Sequence, residues 1–99
     1  MIRPKKLSVE ELEQHRSALS GWAVSEDGLS IAQDFKFKDF VTAWTFMCRV
    51  ASEAERIDHH PDWSNVYNRV SIKLTTHDQG GLTELDLQLA GKINEILAD

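Results

Sequence analysis

Ninety-nine residues predict one domain spanning 1–99, and a hydrophobic share of 41% allows one modest core whose burial stays incomplete at this length. Eleven Lys and Arg against sixteen Asp and Glu leave a formal charge of −5, which argues against a nucleic-acid backbone as a direct partner, because phosphate binding needs a basic face. The one cysteine, Cys48, excludes an internal disulfide framework and suits a reducing compartment, and no apolar run approaches the ~18 residues of a membrane span.

Residues 1–6 are expected to be loosely ordered; they are basic but lead into no apolar run, which makes a poor targeting peptide and a cytoplasmic location the default. Ser8-Val9-Glu10-Glu11 has capping-box spacing, with Leu7 and Leu12 at the staple positions, so a first helix is predicted over about 9–17. A short strand over 22–25, a turn at Glu26-Asp27-Gly28 and a strand over 30–37 make a hairpin; in the second strand Ile31, Gln33, Phe35 and Phe37 share one side. Asp39 is placed to cap a long helix running to about 59. Its expected core stripe is Phe40, Ala43, Trp44, Met47, Val50, Ala51 and Ala54, with Val41, Phe46 and Cys48 adding apolar surface beyond it. A helix so apolar on a small domain points to self-association through about 40–56. Strands over 63–67 and 70–75 follow, joined by a turn at Asn68-Arg69, with Val70, Ile72 and Leu74 facing inward. After Gly80-Gly81, Thr83 and Asp86 form a second capping-box pattern for a last helix over about 84–97, buried through Leu85, Leu89, Ile93, Ile96 and Leu97. The order α-β-β-α-β-β-α predicts an α+β domain: a four-stranded antiparallel sheet with three helices on one face.

Three of the four histidines fall in Glu55-Arg-Ile-Asp-His-His-Pro-Asp-Trp63 and Thr75-Thr-His77, while His15 reads as a surface residue of the first helix. Histidine both gives and takes a proton near neutral pH. Pro61 disfavours the helical region for His60, so a helix reaching His59 would put Glu55 one turn away on the same face. A carboxylate backing one imidazole, beside a second imidazole at a sharp chain exit, suits acid–base work; the competing reading is a polar helix end with exposed histidines. No metal site is expected, because His59 and His60 are adjacent and Cys48 lies about three helical turns away. Cys48, mid-helix among apolar residues, reads as a small hydrophobe. Asp86 has a sufficient role as a helix cap, and Trp44 reads as core, whereas Trp22 and Trp63 at strand ends could wall a pocket for a flat ligand. The residues alone imply proton transfer, a dehydration or isomerisation, on a small planar substrate.

At these positions the chain resembles the pterin-4a-carbinolamine dehydratase family. The likeness is carried by Glu55, His59-His60-Pro61, Trp63, Tyr67, His77 and Asp86, and by Gly80-Gly-Leu-Thr-Glu-Leu-Asp86, and it extends over about 7–97. It implies dehydration of a 4a-hydroxytetrahydropterin to the quinonoid dihydropterin, recycling the pterin cofactor of aromatic amino-acid hydroxylases, with no cofactor of the enzyme's own. By the resemblance His59, His60 and His77 carry the reaction, with His60 as base and His59 or His77 as acid. Glu55 would orient His59; Asp58, Thr75, Thr76 and Trp63, with Trp22, would shape the pterin site; Asp86 would position His77 or hold its loop. It also implies a homotetramer or dimer joined partly through the long helix. Some animal members bind a homeodomain transcription factor, so the resemblance allows a nuclear presence beside the cytoplasmic default; nothing in this sequence supports such a partner here. The alternative reading is a protein-interaction module with a vestigial pocket.

Overall fold

The computed structural model describes residues 4–99; the first three residues of the expected loose segment lie outside the described part. Helix α1 (Val9–Gln14) starts as its capping box dictates: the Ser8 hydroxyl accepts the Glu11 N–H, and the Glu11 carboxylate accepts the Ser8 N–H. It ends three residues short of the expected boundary, because the chain tightens at Arg16–Leu19 into a 3-10 turn. Strand β1 is Ala23–Val24 and β2 is Ile31–Lys36. Helix α2, Phe40–Arg56, begins at Asp39, whose carboxylate accepts both the N–H and the hydroxyl of Thr42. Strands β3 (Asp62–Val66) and β4 (Arg69–Leu74) and helix α3 (Glu84–Ala98) complete the chain.

The strands form one antiparallel sheet in the order β1-β2-β4-β3. Pairing of β2 with β4 sets Ile31 opposite Leu74, Gln33 opposite Ile72 and Phe35 opposite Val70, so the inward residues of both strands fall on one face. That face meets α2 and α3, and the core is Ile31, Phe35, Val70, Ile72 and Leu74 against Ala43, Phe46, Met47, Val50, Leu89 and Ile93. The opposite face carries Asp34, Lys36, Arg69, Ser71 and Lys73, all exposed, which is the alternation a half-buried sheet requires. The architecture is the expected α+β one, with three helices on a four-stranded antiparallel sheet.

Three local expectations are corrected. The second hairpin turns at Tyr67-Asn68 rather than Asn68-Arg69: Val66 pairs with Arg69, and Tyr67 takes the left-handed conformation the tight turn needs, at φ 50°. Helix α2 buries Phe46, not Trp44. Phe46 packs between the rings of Phe35 and Phe37, at 5.1 and 4.9 Å, whereas Trp44 is 54% exposed and stacks on the equally outward Phe40. Ala51 is exposed too, so the inner stripe is Ala43, Phe46, Met47, Val50 and Ala54, rotated from the expected one. In α3, Leu85, Leu89 and Ile93 are buried as expected, but Ile96 packs only half-buried against the core and Leu97 is exposed.

Candidate active site

The site is built where α2 ends. The helix stops at Arg56, three residues before His59, through a backbone device. Asp58 adopts φ 53°, its N–H reaches Glu55 O at 3.2 Å, and the His59 N–H reaches back to Ala54 O at 3.0 Å. This is the paired closure of a left-handed helix stop, in which the second residue beyond the cap is turned back onto the last turn. Glycine usually fills the left-handed position, and aspartate tolerates it better than most side chains. His59 is consequently folded inward and is 5% exposed, while His60 leaves the turn into solvent.

Buried His59 meets Asp86. Its Nε2 lies 2.6 Å from Oδ1 of that carboxylate, across 27 residues of sequence. Asp86 is fully buried yet well supplied with donors: Oδ2 accepts the Thr76 hydroxyl at 2.8 Å and the Thr83 N–H at 2.9 Å. The Thr83 and Thr76 hydroxyls lie 2.7 Å apart. Asp86 is therefore both the third residue of the α3 capping box and the anchor of His59, and the helix N-terminus favours its negative charge. A buried carboxylate without such partners would be costly.

Glu55 does not back His59. Its Oε1 lies 2.8 Å from Nε2 of His60, and both side chains are exposed. The expected Glu55–His59 contact fails because the helix has already ended, so the one-turn spacing does not carry through to His59. Two carboxylate–imidazole pairs result, one dry and one wet, on adjacent residues. His77 opens a short 3-10 turn, His77–Gln79, closed by Gly80 at φ 76°, and its side chain is exposed. It joins the buried cluster through its neighbour: Thr76 holds Asp86, and the chain closes on itself where Thr76 pairs with Gly81. Asp86 thus positions His59 by contact, and it ties down the residue before His77 through the Thr76 hydroxyl.

The remaining expected residues divide by what they touch. Thr76 is buried within the network, and the Thr75 hydroxyl donates to Leu29 O at 2.7 Å, tying β4 to the first hairpin. Trp63 is half-buried on β3, opposite Ile72 and against the core. Trp22 is buried in the core, where it meets Phe35 edge-on and donates its indole N–H to Asn94 Oδ1 at 3.2 Å. Among the described residues no three His, Cys, Asp or Glu side chains converge as metal ligands would. Sequence reasoning passed over Thr83, whose capping role was legible but whose second contact depends on Thr76 being brought beside it.

Fold and site together define a small α+β protein whose adjacent histidines are each backed by a different carboxylate. The family model described as "Pterin 4 alpha carbinolamine dehydratase" matches residues 5–96, and the chain belongs to that family. A Rhizobium meliloti protein named provisionally as a pterin-4-alpha-carbinolamine dehydratase is 48% identical over 94 residues, covering 95% of this chain and 90% of the relative. A Mesorhizobium japonicum protein with the same provisional name is 49% identical over 90 residues, covering 91% and 92%. Among solved structures, the crystal structure of a "transcriptional coactivator/pterin dehydratase" from Brucella melitensis superposes with a TM-score of 0.87 at 46% identity, covering 93% of this chain and 98% of that one. No helix of the described residues is long and apolar enough to cross a membrane.

Proposed function

We propose that the protein dehydrates 4a-hydroxytetrahydropterin to the quinonoid dihydropterin by histidine acid–base catalysis, as a cytoplasmic enzyme that returns the pterin cofactor of aromatic amino-acid hydroxylases to use. The observation that carries this is the split pair: His59 held by buried Asp86 and His60 held by exposed Glu55. The N5 lone pair expels the C4a hydroxyl, so one group protonates the departing oxygen and another removes the proton from nitrogen. Each imidazole is engaged through Nε2, which leaves Nδ1 to exchange a proton while the carboxylate balances the imidazolium. His60 is assigned as the base, with Glu55 behind it, and His59 or His77 as the acid. Trp63 and Asp58 lie on the segments that flank these histidines and are assigned to the pterin site, and Thr75 and Thr76 are assigned to its shaping with them.

Single His→Ala changes at 59, 60 and 77 are expected to lower the dehydration rate of synthetic carbinolamine by ~10²–10⁴-fold at the position carrying each proton transfer. Wild-type rates in all three would end the assignment.

Self-association belongs to the same proposal. Phe40, Val41 and Trp44 form an exposed apolar face along the first turns of α2, which suits a dimer or tetramer joined through this helix. A second reading, an interaction module, is favoured by one observation: the Brucella melitensis neighbour is described as a coactivator as well as a dehydratase. Saturable quenching of Trp63 by an oxidised pterin favours the enzyme. A stoichiometric protein partner without turnover favours the module.

A further inference from the structure

The hydrogen bonds around Asp86 have a definite direction. The Leu85 N–H donates to Thr83 Oγ1 at 3.2 Å, so that hydroxyl oxygen is already an acceptor. The Thr76 hydroxyl has one proton, and it goes to Asp86 Oδ2 at 2.8 Å. The 2.7 Å contact between the two threonine hydroxyls must therefore use the Thr83 proton, with Thr76 Oγ1 accepting. The Thr83 N–H adds a second donor to Oδ2 at 2.9 Å. Proton donation thus runs from the first turn of α3 through Thr83 and Thr76 into one oxygen of Asp86, and leaves the other for His59.

We infer that Thr83 and Thr76 are positioning residues for His59: their donors occupy Oδ2 and hold the Asp86 carboxylate with Oδ1 against the ring. Because Oδ1 can only accept, His59 donates at Nε2 and keeps its lone pair at Nδ1. Thr76, Thr83 and Asp86 are each no more than 1% exposed, so water is not at hand to replace a missing donor. Neither hydroxyl is assigned a contact with substrate. The catalytic consequence rests on the function proposed above; the tautomer itself does not.

The test reads the ring nitrogens of His59 in ¹⁵N-histidine-labelled protein by long-range ¹⁵N–¹H correlation near neutral pH, without substrate. In the wild type the His59 proton is expected on Nε2, and finding the neutral ring protonated on Nδ1 would overturn the inference. In Asp86→Asn, the Thr83 N–H and Thr76 hydroxyl still demand an acceptor. They therefore turn the amide oxygen toward themselves and its NH₂ toward His59. The ring must then accept at Nε2, and its proton is expected to move to Nδ1. Retention of the Nε2 proton would mean that the threonines do not orient this side chain, and the inference fails. Thr76→Val combined with Asp86→Asn removes one of the two orienting donors and is expected to return part of the Nε2-protonated population, whereas Thr76→Ser with Asp86→Asn keeps the full shift.

Should Asp86→Asn not fold, Thr76→Val alone decides. It is expected to lower kcat about tenfold with KM unchanged, as for loss of one hydrogen bond to a charged group. Thr76→Ser is expected to restore the rate, and a wild-type kcat in Thr76→Val would refute the role. A wild-type protein that shows the Nε2 proton but dehydrates nothing would sink the proposed function and leave the tautomer result standing.

Discussion

Asp58 is the hinge on which the two histidines part, and its backbone can be tested apart from its carboxylate. At φ 53° an ordinary L-residue pays ~1–2 kcal/mol against a right-handed conformation, and aspartate less, because its short side chain bonds locally. Glycine meets no such steric cost but has more freedom to lose on folding, a penalty of ~0.4–1 kcal/mol. The backbone part of the stability change in Asp58→Gly should therefore be no more than about 1 kcal/mol in either direction. Asp58→Val places a β-branched residue at a positive φ, where it is a true outlier, and should cost ~1–2 kcal/mol more than glycine. For a domain of this size ~1 kcal/mol moves Tm by roughly 4–8 °C, so the two variants should melt at least about 4 °C apart. Thermal unfolding followed by far-UV circular dichroism measures the gap. Valine can escape only by opening the helix stop, which releases the His59 N–H from Ala54 O and draws His59 away from Asp86. Activity should follow the same order, with kcat falling further in valine than in glycine, and the loss of the Asp58 carboxylate from the proposed pterin site raising KM in both. Equal melting temperatures for glycine and valine would refute the backbone argument. A stable glycine variant without activity would assign the residue's importance to its carboxylate.

Trp44→Ala removes one ring of the exposed Phe40–Trp44 stack, whose centroids are 6.4 Å apart. It should alter the stability of the single chain by less than ~0.5 kcal/mol while shifting sedimentation velocity profiles toward smaller species; an unchanged distribution would take this face out of the assembly. Asp39 is held below the ordinary aspartate value of 3.8, first by the Thr42 hydroxyl and then by the Thr42 N–H. A depressed folded value means its stabilisation is present above the unfolded pKa and is lost as pH falls through the folded one. Asp39→Asn keeps the cap but cannot titrate, so its Tm should fall less steeply than that of the wild type below about pH 4; parallel pH–Tm curves would show that this carboxylate carries no acid sensitivity.

Features set by neighbours in sequence were legible from the sequence. Both capping boxes, the alternation of β2 and β4 and the order of elements follow from side chains acting within a few residues of themselves, where spacing is geometry. The histidine-bearing segments were legible as well, because acid–base chemistry narrows the residue types that can serve. The face of α2 was not. That helix carries apolar residues most of the way round, so periodicity admits more than one inner stripe, and Phe46 rather than Trp44 went inward because Phe35 and Phe37 receive it there. The helix end was equally hidden, for no glycine marks the left-handed position and Pro61 signals a stop three residues too late.

Spacing alone could not have paired His59 with Asp86 or His60 with Glu55. A histidine at the end of α2 can meet a carboxylate at the start of α3 only after the sheet has brought those ends together, and a single left-handed residue decides which of the two adjacent rings turns inward. The protein's elements and its chemical vocabulary could be read from the residues, since both are written in local spacing and residue type. Which carboxylate serves which imidazole, and which ring is sheltered from water, waited on the folded chain, because the His59–Asp86 contact crosses 27 residues and is buried, and the left-handed turn at Asp58 leaves His60 rather than His59 beside Glu55.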